Sequence, residues 1–325
     1  MHSIGGIHHV TAIAGDAQEN LDFYTGVLGL RLVKRSVNQD VTDTYHLFYA
    51  DADGHPGSDL TFFPWPNLPP GRAGSGLASE VSLAVQPDTL AWWAERLARA
   101  RVPAAESEVR FGERALTFTD PHGLPLALVE TTDPREFSAW RRSAVPEARQ
   151  IRGIHGIRLR ERDLLSTAGF LEQGMGFTAL GQEGGWHRFG AAGGGSGRFV
   201  DVRETPGGPR GEWGIGAVHH VAWRVADEDA QRRARAGVIA AGARATETID
   251  RFWFRSVYFK EPGGVLFELA TDGPGFAVDE AAEALGEHLV LPPWLETDRV
   301  TIERALPPLR FGVSSLPEPT GAPHR

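Results

Sequence analysis

Two histidine pairs and one carboxylate set in an apolar run are the groups in this sequence best suited to hold a metal ion. The first pair to consider, His219-His220, lies in the β-like stretch Ala217-Val218-His219-His220-Val221-Ala222-Trp223. Downstream, a glycine turn opens Pro262-Gly263-Gly264-Val265-Leu266-Phe267-Glu268. Near the start of the chain, Gly6-Ile7-His8-His9-Val10-Thr11-Ala12 is a near copy of the first stretch. Adjacent strand residues point to opposite faces, so each pair can send one imidazole into a given cavity. Glu268 sits among apolar neighbours, where an unpaired buried carboxylate costs roughly several kcal/mol and a metal or cationic partner would offset that cost. The bland alternatives are hydrogen-bonded core histidines and an edge-strand Glu facing water. Two His-His pairs at equivalent places in a repeated unit favour the metal: two histidines and a carboxylate, drawn from opposite ends of the chain.

Composition narrows the chemistry further. The chain has 325 residues, enough for two ordinary domains and a substantial core. Its 41% apolar and 23% charged content are those of a soluble globular protein. A net charge of −9 argues against nucleic acid or an anionic membrane as partner. There is no cysteine, which excludes disulfides, iron–sulfur clusters, thiolate zinc and a cysteine nucleophile. Any metal must therefore be held by His, Asp or Glu. No apolar run approaches the ~20 residues needed to span a bilayer. The opening residues lack a basic-then-apolar signal pattern, so a cytoplasmic protein is expected.

The elements that must position these groups form a repeat. Residues 6–13 read as a strand, and Asp16-Ala17-Gln18-Glu19 as a capped helix start. Leu21, Tyr24, Val27 and Leu28 follow at helical spacing, and Gly29 ends the helix. Residues 46–51 and 60–63 read as strands. After a Gly/Pro-rich break at 69–76, a second unit has a strand at 80–85, a helix at 87–101 and a hairpin at 115–130. Residues 132–150 are polar and link the halves. Ile7-His8-His9-Val10 has its echo in Ile154-His155-Gly156-Ile157, and Phe23 and Gly29 map likewise onto Phe170 and Gly176. Pro121-His122-Gly123-Leu124 resembles Pro262-Gly263-Gly264-Val265. Units three and four thus repeat units one and two. The glycine-rich run 193–197 lacks a Gly-Lys-Ser/Thr ending and reads as a hairpin tip. Unit four carries a helix near 227–241. The tail carries short helices near 279–285 and 297–305, and is loose after Leu316.

The repeat also shows where ligands are missing. Gly156 and Ser82 stand at the first-strand position in units three and two, and Ala127 stands where Glu268 would be. In unit one the last strand, Leu60-Thr61-Phe62-Phe63, offers no Glu, Asp or His at a fourth corner. One histidine from each pair plus Glu268 leaves open coordination positions, the set expected of non-haem Fe(II) enzymes, with Mn(II) chemically allowed and zinc less favoured.

The doubled β-α-β-β-β units, the two His-His motifs and "PGGVLFE" resemble the vicinal-oxygen-chelate superfamily of glyoxalases, bleomycin-resistance proteins and extradiol dioxygenases. Within it, "GIHHVTAIAGDAQENLDFYTGVLGLRLVKRSVNQD", "YHLFYADADGHPGSDLTFFPWP" and "LVLPPWLE" are similar to the ring-cleaving hydroquinone dioxygenases, including the chlorohydroquinone-cleaving type. The resemblance spans nearly the whole chain. It implies an α+β fold of four β-α-β-β-β modules in two tandem domains, 1–150 and 151–325. The modules would pair into cupped mixed sheets with helices outside. Modules one and four would form one Fe(II) site, with His9, His220 and Glu268 as ligands. The same match implies Tyr258 and Arg251 near substrate, in "DRFWFRSVYFKEPGGVLFE", with His8, Thr11 and His219 as supporting neighbours. It also implies an aromatic diol opened with O2, and a homo-oligomer. A glyoxalase-like isomerase or thiol transferase would want a fourth protein ligand where residues 61–63 stand. A non-catalytic binder of an aromatic or antibiotic would not need the triad, and the fold alone does not separate these readings.

Overall fold

The structure, a computed structural model, describes residues 4–312; the expected looseness after Leu316 lies outside the described residues. Among the described residues, sixteen strands fall into four modules. The first holds β1 (Ile4–Ala14), β2 (Arg31–Asn38), β3 (Val41–Ala50) and β4 (Asp59–Pro64). The second holds β5 (Leu77–Val85), β6 (Glu108–Arg110), β7 (Glu113–Thr119) and β8 (Pro125–Glu130). The third holds β9 (Ile154–Glu161), β10 (Thr178–Glu183), β11 (Trp186–Gly190) and β12 (Phe199–Glu204). The fourth holds β13 (Val218–Val225), β14 (Ile249–Asp250), β15 (Arg255–Lys260) and β16 (Leu266–Thr271).

In each module a helix follows the first strand. They are α1 (Ala17–Leu21), α2 (Leu90–Arg99), α3 (Leu164–Gly169) and α4 (Glu228–Ala240), and α5 (Arg299–Ala305) lies in the tail. Asp16, Asp163 and Asp227 each accept a backbone N–H at the start of their helix, which satisfies one of its orphan donors. The helix of unit one is shorter than its apolar spacing suggests, because α1 widens into a π-turn over Asp22–Val27. The tail pattern near 279–285 yields only a 3-10 turn at Ala282–Ala284.

The modules pair into two curled, eight-stranded mixed sheets, so the architecture is α+β as expected. One runs β14-β15-β16-β13-β1-β4-β3-β2 and the other β10-β11-β12-β9-β5-β8-β7-β6. Modules one and four meet at the antiparallel pair β1–β13, and modules two and three at β5–β9. Each sheet thus joins a module from either half of the chain. A continuous core that includes Val10, Trp93, Leu159, Trp223 and Phe267 runs through both sheets. Among the described residues, no helix is long and apolar enough to cross a membrane.

Two further contacts bear on the site. The glycine-rich run 193–197 lies in the β11–β12 connection, and its Gly197 carbonyl accepts from Ile7 N at 2.7 Å. Gly6 permits that approach, since a Cβ there would stand 2.7 Å from the same carbonyl oxygen, at a φ of +147°. The segment after β16 returns across module one. There Arg31 donates to the Glu283 and Leu285 carbonyls, Lys34 reaches Asp279 and Glu280, and Tyr45 donates to the Pro307 carbonyl.

Candidate metal centre and its cavity

Both His-His pairs sit at breaks in strand register. In the β1–β13 ladder Ile7 pairs with Trp223 and His9 with Ala222, so His8 is the extra residue. Four positions on, Thr11 pairs with His220 and Ala12 with Val218, so His219 is the extra residue on the other strand. The two bulges are symmetric about the module interface. A bulge re-aims a side chain, and here it brings the two imidazoles of each pair together. Nδ1 of His8 is 2.9 Å from Nδ1 of His9, and Nδ1 of His219 is 2.8 Å from Nδ1 of His220. Strict alternation would have sent the first histidine of each pair to an unrelated partner. Instead it holds the ring of the second, leaving that ring's Nε2 free to face inward.

The free nitrogens converge. His9 Nε2 lies 3.3 Å from His220 Nε2, and Glu268 Oε2 lies 3.5 Å and 3.0 Å from these two atoms. Glu268 arrives by the parallel β13–β16 register, which sets it against Ala222, itself the cross-strand partner of His9. All three residues are buried, and their donor atoms lie within 4.8 Å of one another. Ser256 donates to Glu268 Oε1 at 2.5 Å, while Oε2 is buried and, among the described residues, has no hydrogen-bond partner. Burial would raise the Glu268 carboxyl, but His9 and His220 hold it well below the usual carboxylate range. Burial above all, and the neighbouring His9, push the His220 imidazole down. A charged carboxylate with an orphaned oxygen facing two imidazole nitrogens is a donor set that fits a divalent cation.

The fourth corner is occupied by Thr61, which β1–β4 pairing sets against Thr11. Thr11 Oγ1 lies 2.7 Å from Thr61 Oγ1 and 3.0 Å from His220 Nε2, and Thr61 Oγ1 lies 3.0 Å from His46 Nε2. His46 was not among the residues singled out from the sequence. Strand alternation held the signal, since His46 and Phe48 share the face of β3 that looks into the cup. Ser256, on the equivalent strand of module four, was missed as well.

Above the donors lies a cavity of about 350 Å³, lined by His9, His46, His219, His220, Arg251 and Tyr258 among aromatic walls. Tyr258 is the cross-strand partner of Glu268, and its ring lies 5.8 Å from that of His220. Burial and the Glu268 charge raise the phenol above its ordinary range, so it stays protonated at neutral pH. Arg251 stands 5.5 Å over the Tyr258 ring and pairs with Asp40 at 2.8 Å. His219 stacks on Trp213 at 4.6 Å, and burial first pushes it down to about 3. His8 packs behind His9 against Phe254, and its imidazole is likewise pushed down to about 3.

The second sheet has the same corners with other occupants. Register puts Gly156 at the His9 position, Ala127 at the Glu268 position and Arg158 at the Thr11 position. The His220 position is Glu80, two residues before the expected Ser82, because Ser82 pairs with Gly156 as Ala222 pairs with His9. Arginines take the place of a cation there. Arg188 binds Asp201 through two bonds of 2.7 and 3.0 Å, and Arg110 binds Glu80.

A repeated cupped sheet with a His-His-Glu cluster at one module pair defines a superfamily, and comparison agrees. The chain belongs to the glyoxalase/bleomycin resistance protein/dioxygenase superfamily, which it matches over residues 6–128 and 153–269. It is 44% identical over 303 residues to the Bacillus subtilis protein named "Putative ring-cleaving dioxygenase MhqO", covering 93% of this chain and 96% of that one. It is 33% identical to the chlorohydroquinone/hydroquinone 1,2-dioxygenase of Sphingobium indicum, covering 90% and 93%. A crystal structure titled "putative dioxygenase" from Bacillus subtilis superposes with a TM-score of 0.90 at 41% identity, covering 97% of this chain and all of that one. Glyoxalase I from Zea mays, at 15% identity and a TM-score of 0.63, shares the fold alone.

Proposed function

We propose that this chain is a cytoplasmic, Fe(II)-dependent, extradiol-type ring-cleaving dioxygenase that opens a hydroquinone or catechol with O2. The observation that carries the reading is the convergence of His9, His220 and Glu268 under an aromatic-walled cavity whose fourth corner is a threonine. The names of its relatives as ring-cleaving and hydroquinone dioxygenases support the same reading. His9, His220 and Glu268 would hold the metal, with Mn(II) a second ion that suits the donors. Bound there, the metal supplies the one-electron chemistry between ring and O2 that side chains alone lack.

The remaining steps belong to the chain's own residues. His8 and His219 orient the two ligand imidazoles through their Nδ1 contacts. Ser256 fixes the Glu268 rotamer through Oε1. The aromatic walls exclude water and accept a flat ring. Tyr258, which lines the cavity, holds a proton at its hydroxyl that it can donate to a substrate oxygen. Arg251 places a permanent positive charge beside that phenol and favours an anionic substrate oxygen. Thr11 presents a hydroxyl beside His220. A homo-oligomer is part of the proposal through resemblance. An isomerase reading would want a ligand in place of Thr61, and a binding protein would not need the orphaned carboxylate oxygen.

The test is anaerobic loading with Fe(II), addition of a hydroquinone and catechol panel, and admission of O2. Oxygen uptake with the appearance of ring-opened product is expected. Stoichiometric iron with no oxygen consumed on any diol would refute the reading.

A further inference from the structure

His46 is the cavity imidazole that neither the donor cluster nor the two bulged pairs explain. We infer that His46 is a substrate-contacting residue, whose Nδ1 hydrogen-bonds the diol oxygen remote from the His9–His220–Glu268 cluster, with Thr61 and Thr11 positioning its ring. The inference rests on the diol reading above. Three observations support it. The ring is fixed, lying 3.8 Å from the Phe48 ring and 4.4 Å from that of Phe63, with Nε2 held at 3.0 Å by Thr61 Oγ1. Nδ1 makes no hydrogen bond among the described residues, while the side chain lines the cavity. Three hydrogen bonds run from His46 through Thr61 and Thr11 to His220, so two threonines set His46 back from the donors while its ring still lines their cavity, where it can meet a second oxygen on a ring held at the cluster.

The chemistry of the relay suits this role. Burial first, then the nearby His9 and His220, hold His46 well below the usual imidazole range, so it is a neutral ring with one donor and one acceptor nitrogen. Thr61 and Thr11 hydroxyls can each donate or accept, so Nδ1 can present a proton or a lone pair with no heavy atom moving. An aromatic wall with one preset polar atom rejects a ligand that leaves that atom unpaired. His46 would then read the second oxygen of the substrate.

The experiment compares hydroquinone with 4-methylphenol, which keeps one hydroxyl and lacks the second oxygen. Binding to the Fe(II)-loaded protein is measured without O2 by tryptophan fluorescence, with metal content determined for each variant. Wild type should prefer hydroquinone by roughly tenfold or more. His46→Phe should bring the preference to within about twofold and raise KM for hydroquinone more than it lowers kcat, with metal content unchanged. His46→Asn, which keeps a polar atom near the Nδ1 position, should restore part of the preference. His46→Leu replaces the Phe variant if that one does not fold. A full preference in the apolar variant, or none in wild type, overturns the role of His46. Failure of wild type to bind any diol instead overturns the diol reading.

Discussion

Glu268 shows how little a residue type says without its neighbours. Its carboxyl is fully buried, anchored through Oε1 by Ser256, and held charged by two imidazoles. Outer partners of this kind tune metal affinity, so Ser256→Ala should weaken metal binding by roughly ten- to a hundredfold, read by chelator competition. Unchanged affinity would mean that the Ser256 contact does not orient the ligand. Tyr258→Phe removes only a hydroxyl. It should slow turnover by about a hundredfold and leave the metal content intact, which separates proton handling from metal loading. Part of this site was legible in the sequence: the histidine pairs, Glu268, and a fourth corner without a ligand. The bulges were not, because a register break depends on the partner strand. Thus the way each pair turns inward was invisible, and so was the line from His220 through two threonines to His46.

At the scale of elements, one strand missed from the sequence is β2. Arg31-Leu32-Val33-Lys34-Arg35-Ser36-Val37-Asn38 does not alternate, since Lys34 is fully buried. Its charge is met by Asp279 at 2.7 Å and by Glu280, and Asp279 also accepts from the indole of Trp253 in the cavity wall. A segment distant in sequence therefore makes β2 a strand that no local pattern announces. Lys34→Met would leave two carboxylates uncompensated. It should cost about 3 kcal/mol in denaturant unfolding, most of it recovered when Asp279→Asn and Glu280→Gln are added. No recovery in the triple variant would show that packing, not charge, is what Lys34 provides.

At the scale of the molecule, the two sheets are joined near a pair of buried carboxyls, Glu161 at the end of β9 and Glu261 in the β15–β16 turn. Among the described residues, neither Glu161 oxygen has a hydrogen-bond partner, and burial together with Glu261 pushes its carboxyl from 4.5 up to about 8. A folded-state value raised above the unfolded one adds stability that is present below about pH 4.5 and lost as pH rises through 8. Glu161→Gln should therefore be more stable than wild type at pH 8, by about 2 kcal/mol, and gain little at pH 5. Melting curves at the two pH values check this, and an equal effect at both would contradict it. The duplication makes a further prediction. Arg110, Arg158 and Arg188 fill the second cup beside Glu80 and Asp201, so elemental analysis should find one metal per chain.

The sequence by itself carried the repeat, the residue types of the candidate donor set and the lack of a ligand at its fourth corner, because these lie in residue types and their spacing, while the family was legible through the resemblance of its motifs. Tertiary structure decided which modules pair, that His8 and His219 turn onto the rings of His9 and His220 at bulges, and that His46 faces the cavity. It also placed Glu80, not Ser82, at the His220 position of the second sheet. The physical reason is register. Strand pairing couples residues hundreds of positions apart, and a shift of one residue on the partner strand changes which side chain faces the cup.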